Sequence, residues 1–496
     1  MPSTRIFLFW IQLTFDTPPV TFGDSPLGEG AGRKEEGMFL IREKILALLD
    51  WLSAPARMKL RLFLEGNLIG ILTGFVIAAF RWLLVLSEEA LPRLYAFLAE
   101  HPAWTLAWAG VLAVIGYILY RIVRHEPMTS GSGIPQIEGI LAGEMQMNWA
   151  RVLAWKFVGA VLGIGAGLSL GREGPSVQLG ACLGQGVGRL ARRAPGEDRY
   201  LLTAGAGAGL AAAFNAPLAG VIFCLEELTK DFSPLVLMGA VAACVTATTV
   251  TQQFFGLAPV FHMGDVPVVA TGSFYFLLIL LGLFVGAVSL AFNHSLTFSL
   301  DTFARVKLPA WSKPMVPLFL SIAFGFTLPQ VLGGGSPLVD SLVVQDYGLA
   351  MLCILFAAKF CFLMVCFGSG VPGGIFLPML VLGALAGAIF AKLAAFAGVL
   401  PEGLAVDCMV FGMAAYFACV VKSPITGTVL IMEMTGSFSH MLPLILVSMT
   451  AYLVSDLTGG QPVYEMLLKR SLRLRDRARA RFEAGRKRPA RREPHV

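Results

Sequence analysis

Charge is what this chain has least of: Asp, Glu, Lys and Arg together supply 14% of its 496 residues, against roughly 25% in an ordinary soluble domain. A soluble globule of this size is excluded, because too few charged side chains remain to cover its surface. Cysteine is present without a framework. The eight Cys (182, 224, 244, 353, 361, 366, 408 and 419) stand in apolar stretches with no Cys-x-x-Cys spacing, so they read as small packing residues, and no metal site or cofactor is expected. A recognisable leader is also missing. The first 37 residues carry a nine-residue apolar patch, Phe7–Phe15, without a clear basic start or small-residue cleavage site. Residues 1–37 therefore read as a disordered or non-native extension, with Met38 as the working start. A cytoplasmic amphipathic helix is expected over 38–60, opening on FLIREKILALLDWL.

What the chain does have is hydrophobic length. Apolar residues make up 56% and fall into runs such as Ala103–Ile122 and Phe274–Phe292, each long enough to cross a bilayer. The fold class expected is an all-α polytopic membrane protein. Gly, 54 of 496, stands well above the usual ~7%, which predicts close helix contacts and broken helices. Short or Gly-broken runs such as Ile134–Leu141 and Val177–Leu183 predict partial crossings. Positive charge is concentrated at the end: Lys469–Val496 holds twelve Lys or Arg against three Asp or Glu. By the positive-inside rule the C-terminus is cytoplasmic, and this tail reads as a solvated juxtamembrane segment with no role in nucleic-acid binding.

The chain repeats itself. Gly171–Gly184 aligns with Gly374–Gly387 at a constant offset of 203, with six of fourteen positions identical. Ala216-Pro217-Leu-Ala-Gly220 with Glu226 aligns with Ser423-Pro424-Ile-Thr-Gly427 with Glu433 at an offset of 207. Two halves of one plan follow, expected over 61–256 and 270–458, with a basic cytoplasmic tail over 459–496. Gly131–Pro135 (GSGIP) and Gly368–Pro372 (GSGVP) are also alike, but their offset of 237 puts them outside this register. Transporters built from such halves bind substrate where broken helices meet.

Pro175 and Pro378 each follow a Gly-rich approach and suit the first turn of a helix. Helices that begin inside a membrane point unpaired N–H groups and partial positive charge at one spot, and so form an anion site without a full charge. The bland alternative is a Gly-Pro kink in an ordinary helix, which the duplication of the pattern disfavours. Glu173, between Arg172 and Gly174, occupies such a helix start. An ionised carboxylate at membrane depth costs roughly 2.5–3.5 kcal/mol, so it is expected either to compete with a transported anion for the amides or to form a structural pair with Arg172.

GSGIPQ (131–136), GREGP (171–175) and GGIFLP (373–378), taken in order with RVLAWKFVGA, GLAAAFNAPLAGVIFCLEEL, KSPITGTVLIMEMTG and GGQPVYEMLL, resemble the signature segments of the CLC family of chloride channels and proton/chloride antiporters over about residues 60–470. The resemblance implies a homodimer, each subunit carrying its own anion pathway built from two inverted repeats of tilted and partial helices. It implies that Ser132, Tyr464 and the amides of Ile375 and Phe376 bind the anion, that Glu173 is the gate and proton acceptor, and that Glu227 transfers protons internally, with Glu226 structural. It implies chloride and protons as substrates, a multi-pass location in a cell inner membrane, and proton-coupled antiport. A passive voltage- or pH-gated chloride channel is the alternative, disfavoured by Glu227. Gln136 departs from the commoner Glu. The paired nucleotide-binding modules of eukaryotic members find no room after Tyr464, which points to the prokaryotic type. Gly167-Leu-Ser169-Leu-Gly171 fits a serine-nucleophile pattern and His294 lies in an apolar run, but the setting is wrong for an enzyme and none is expected.

Overall fold

The structure is a computed structural model that describes residues 58–193, 196–261, 272–400 and 404–486. The extension 1–37 and residues 38–57 of the expected amphipathic helix lie outside the described residues. Met58–Leu60, the described end of that stretch, are helical and continuous with the first membrane helix.

Among the described residues the secondary structure is helical. In chain order the helices are α1 (Met58–Glu100), α2 (Trp104–His125), α3 (Ile134–Leu141), α4 (Trp149–Gly165), α5 (Glu173–Leu190), α6 (Asp198–Phe214), α7 (Pro217–Phe223), α8 (Pro234–Phe255), α9 (Gly272–Arg305), α10 (Met315–Thr327), α11 (Ser336–Val344), α12 (Leu349–Gly368), α13 (Phe376–Phe396), α14 (Ala405–Val421), α15 (Pro424–Thr435), α16 (Met441–Leu457) and α17 (Val463–Arg486). Among the described residues seven helical stretches are long and apolar enough to cross a membrane. Large apolar side chains face outward along them, with Leu106 at 82% and Phe276 at 63% exposure. In water such surface would be costly; against lipid tails it is the expected covering. The short α3 matches the predicted partial crossing over Ile134–Leu141. Val177–Leu183 does not form a separate fragment: it lies inside the 18-residue α5, because its glycines pack against a neighbouring helix and do not break their own.

The chain divides into two compact units, Met1–Ala79 with Leu179–Ala258 and Phe80–Gln178 with Pro259–Val496. In the first, Gly66, Gly70 and Gly74 of α1 lie so close to α8 that a Cβ on Gly66 would stand 2.8 Å from Gly239 O and one on Gly74 2.9 Å from Ala247 O. With lipid on both sides of any alternative, small residues drive such contacts by letting backbones meet. Thr246 Oγ1 donates to Asn67 Oδ1 (2.6 Å) across the same seam. Gly180 and Gly184 of α5 press likewise on the backbone of α6. In the second unit, Gly383 and Gly387 of α13 press on α14, where a Cβ on Gly383 would meet Gly412 O at 2.7 Å. This is the same seam as that of Gly180 and Gly184, shifted by 203 residues.

Caps repeat as faithfully as seams. The chain leaves α6 through Asn215 (φ 56°) and α14 through Lys422 (φ 66°), 207 residues apart, and both left-handed caps are followed within two residues by a Pro that opens the next helix. Six cysteines are buried, Cys353 and Cys361 face outward, and all eight are free thiols.

Candidate anion and proton site

The site is built in the second unit from four chain breaks. In the first break, Gly131 (φ 64°) and Gly133 (φ 102°) take left-handed backbone that only Gly adopts without strain. They turn the chain into α3, with Pro135 in its first turn. Ser132 stands between them, 2% exposed. Its Oγ lies against the backbone of Gly174 and has no hydrogen-bond partner among the described residues. An unpartnered buried hydroxyl is costly unless something visits it.

The second break leads through Gly171 into α5, whose first residue is Glu173, fully buried. The third leads through Gly373 and Gly374 to Ile375 and Phe376, the cap and first residue of α13. These two breaks hold each other. Gly171 N donates to Gly374 O at 2.7 Å, and Gly374 N returns the bond to Gly171 O at 2.7 Å. The pairing is antiparallel, and the partners are equivalent residues of the two repeats. Reciprocal bonding of equivalent residues is the mark of a local twofold, so the two segments run inverted.

Across this junction Glu173 reaches the opposite helix start. Its Oε2 accepts from Leu377 N at 3.3 Å, while Oε1 lies 3.7 Å from Arg172 Nε. The carboxylate thus takes up one of the amides of α13 that have no carbonyl a turn earlier to bond to, at the positive end of the helix dipole. Glu173 thus contacts the amide of Leu377 and sits beside Arg172 at the same time. The fourth break, Gly459–Pro462, precedes α17. Tyr464, fully buried, lies in its first turn, and α17 packs on α3 where Leu468 meets Gly139. The GSGVP segment, outside the repeat register, is brought beside GSGIP: Gly131 N donates to Val371 O (3.2 Å), Gly373 N to Gly131 O (3.0 Å) and Ser130 Oγ to Gly370 O (2.8 Å).

Glu226 and Glu227 belong to the other unit. Their segment, Cys224–Leu228, is a π-helical turn continuing α7, and Glu227 is the more deeply buried of the two, at 3% exposure. Such turns insert an extra residue into a helix and are frequent at functional sites.

The family profile of voltage gated chloride channels matches residues 111–456. The chain belongs to this family. Within the voltage-gated chloride channel family, it is 38% identical over 384 residues to the H(+)/Cl(-) exchange transporter ClcA of Vibrio campbellii, covering 75% of this chain and 81% of that one. It is 36% identical over 457 residues to the protein of the same name from Salmonella paratyphi B, covering 88% and 94%. A solved slow cyanobacterial Cl-/H+ antiporter is similar in structure, with a TM-score of 0.77 and 32% identity, covering 83% of this chain and 98% of that one.

Two lysines of this voltage-gated chloride channel family member escaped the sequence reading. Lys156, fully buried, donates to Thr129 O (3.0 Å) and Gly131 O (2.6 Å). Lys359, also fully buried, donates to Val331 O (2.9 Å) and Gly333 O (2.8 Å). They are 203 apart, each followed by Phe, and the established offset was the signal that finds them. They reveal the true counterpart of GSGIP: Gly333–Pro337 (GGGSP), with Gly333 at φ 61° and Gly335 at φ 99° leading into α11. Gln136, the departure from the commoner motif, donates to Ser130 O (2.7 Å) and braces the loop. The Gly167–Gly171 pattern has no strand before it; Ser169 is fully buried, and His294 contacts Leu290 O of its own helix.

Proposed function

We propose that this chain exchanges chloride for protons across the membrane. The anion site is formed by Ser132, Tyr464 and the amides of Ile375 and Phe376, with Glu173 as gate and proton acceptor and Glu227 as internal proton-transfer residue. The observation that carries this reading is the hydrogen bond from Leu377 N to the Glu173 carboxylate. A resident carboxylate on a helix start marks those amides as an anion seat and makes Glu173 a competitor for it. Protonation removes the charge that holds it there, so a proton arriving at Glu173 frees the seat for chloride, and chloride leaving lets the ionised side chain return. The two ions are then coupled through one carboxylate. Neutral donors, the Ser132 and Tyr464 hydroxyls and backbone amides, bind a halide weakly enough for it to leave. Buried Glu227, set in its π turn, supports exchange over passive conduction because it supplies a second titratable group besides Glu173.

The reading also assigns a homodimer in a cell inner membrane with the C-terminus in the cytoplasm, supported by the positive tail. Reversal potentials of purified protein in planar bilayers under combined chloride and pH gradients test the exchange. A shift with pH at fixed chloride is expected. A potential that stays at the chloride Nernst value at every pH would overturn the reading in favour of a passive channel.

A further inference from the structure

The two helix starts that meet at the Gly171–Gly374 junction are closed by opposite partners. In the first copy the turn supplies the side chain and the long helix supplies the space: Ser132 Oγ lies where a Cβ on Gly174 would stand. In the second copy the parts are exchanged. Gly334 takes the place of Ser132, 202 residues on, and Leu377 takes the place of Gly174, 203 residues on. A Cβ on Gly334 would meet Leu377 Cδ2 at 2.9 Å. Because the local twofold of the Gly171–Gly374 pairing relates the two contacts, they lie on opposite sides of the junction. One is closed by a hydroxyl that has no hydrogen-bond partner among the described residues, the other by a hydrocarbon side chain that is 2% exposed.

We infer that the Leu377 side chain is an apolar gate on the path of the transported anion, on the side of the seat opposite Ser132, and that passing it limits the rate of transport. The inference rests on the anion seat proposed above. Leu377 holds the Glu173 carboxylate through its own N–H, 3.3 Å from Oε2, so its side chain stands at the seat itself. Withdrawal of a protonated Glu173 frees the amide but leaves the hydrocarbon in place. A halide moving toward Ser132 exchanges water for a hydroxyl. One moving past Leu377 gives up hydration and receives nothing in return, which is how an apolar constriction opposes an ion. Packing alone does not call for a leucine here, since the first copy closes the equivalent contact with a glycine in that position.

Chloride efflux from proteoliposomes holding the full chain, counted per folded protein, tests the inference. Leu377→Ala should speed efflux roughly tenfold, which corresponds to about 1.4 kcal/mol off the limiting barrier, with the protons moved per chloride unchanged because Glu173 is intact. Leu377→Met, which restores the apolar volume, should return the rate toward that of the parent. Gly334→Ala approaches the gate from the other side. Its methyl would press on the flexible tip of Leu377, and Gly334 does not have left-handed backbone, so this variant should fold and slow efflux. A leucine that only packs would lose stability on truncation and leave efflux per folded protein as it was. Unchanged or slower efflux in Leu377→Ala would overturn the proposal; where that variant does not fold, unchanged or faster efflux in Gly334→Ala would do so. Calorimetric chloride binding to the parent and to Ser132→Ala tests the seat separately. Equal affinity would remove the seat, whereas weakened binding in Ser132→Ala with unchanged efflux in the Leu377 variants would remove only the gate.

Discussion

The two repeats are the same in backbone and different in chemistry. Both copies have a left-handed glycine turn into a short helix, at Gly133 and Gly335, and both have a buried lysine tying that turn down, Lys156 and Lys359. Both have a Gly seam between adjacent long helices. At the positions proposed to handle the ions they part. Ser132 stands where the second copy has Gly334, Glu173 where it has Phe376, and Glu227 where it has Met434. Glu226, by contrast, has its counterpart in Glu433, which fits a structural part for that residue. The π turn at Cys224–Leu228 is likewise confined to the first copy, since α15 runs as a regular helix to Thr435. In the proposed mechanism, symmetry supplies the opposed helix starts that would attract an anion, and asymmetry supplies the groups that would gate it and move protons. A symmetric pair of carboxylates would place two like charges at one junction and hold at least one of them protonated.

The strongest way to break the contrast is to remove the acid at the junction. Glu173→Gln should abolish proton movement, a loss on the order of 10²-fold or more for a positioned proton-transfer group, while chloride still passes and loses its pH dependence. Paired chloride and proton fluxes in proteoliposomes read both. Next is Glu227→Met, which installs the second copy's residue. Proton antiport should fall to background with chloride flux retained and anion affinity, read by calorimetry, little changed. Intact coupled exchange in that variant would remove Glu227 from the pathway, and failure to fold would mark it as structural.

The shared features give smaller effects that should match between copies. Lys156→Met removes the lysine's bonds to Thr129 O and Gly131 O, the latter keeping Gly373 N, and Lys359→Met removes those to Val331 O and Gly333 O, each at a cost of about 2–4 kcal/mol. Denaturant unfolding in detergent should find the two within about 1 kcal/mol of each other, given the context dependence of such bonds. A much larger effect of one would mean that its lysine does more than tie down a turn. Smallest is the seam. Gly184→Ala and Gly387→Ala force a Cβ onto facing backbone and should each destabilise by about 1–3 kcal/mol. If only one is destabilising, the two seams are not equivalent in packing.

Membrane class, repeat plan and short broken helices were legible in the sequence because each rests on local chemistry: apolar length, glycine and proline at fixed offsets, and charge bias at the tail. The offset of 203 even held the lysine pair, unnoticed because a lysine in an apolar run looks exceptional until its partner carbonyls are seen. That Val177–Leu183 lies within the 18-residue α5, with Gly180 packed on α6, came only from the structure.

What the sequence by itself determined is which segments begin helices inside the membrane and which residues could carry charge there, since proline, glycine and carboxylate preferences act within a few residues. Only the tertiary structure decided that Gly171 and Gly374 bond reciprocally, that Glu173 turns to Leu377 N rather than to Arg172 alone, and that GSGVP lies beside GSGIP although GGGSP is its repeat partner. Each is a meeting, at a backbone N–H or carbonyl, of segments some two hundred residues apart. No side-chain pattern encodes them, because a peptide N–H and its carbonyl are the same in every residue but proline, and their pairing is settled by where the packed helices leave them.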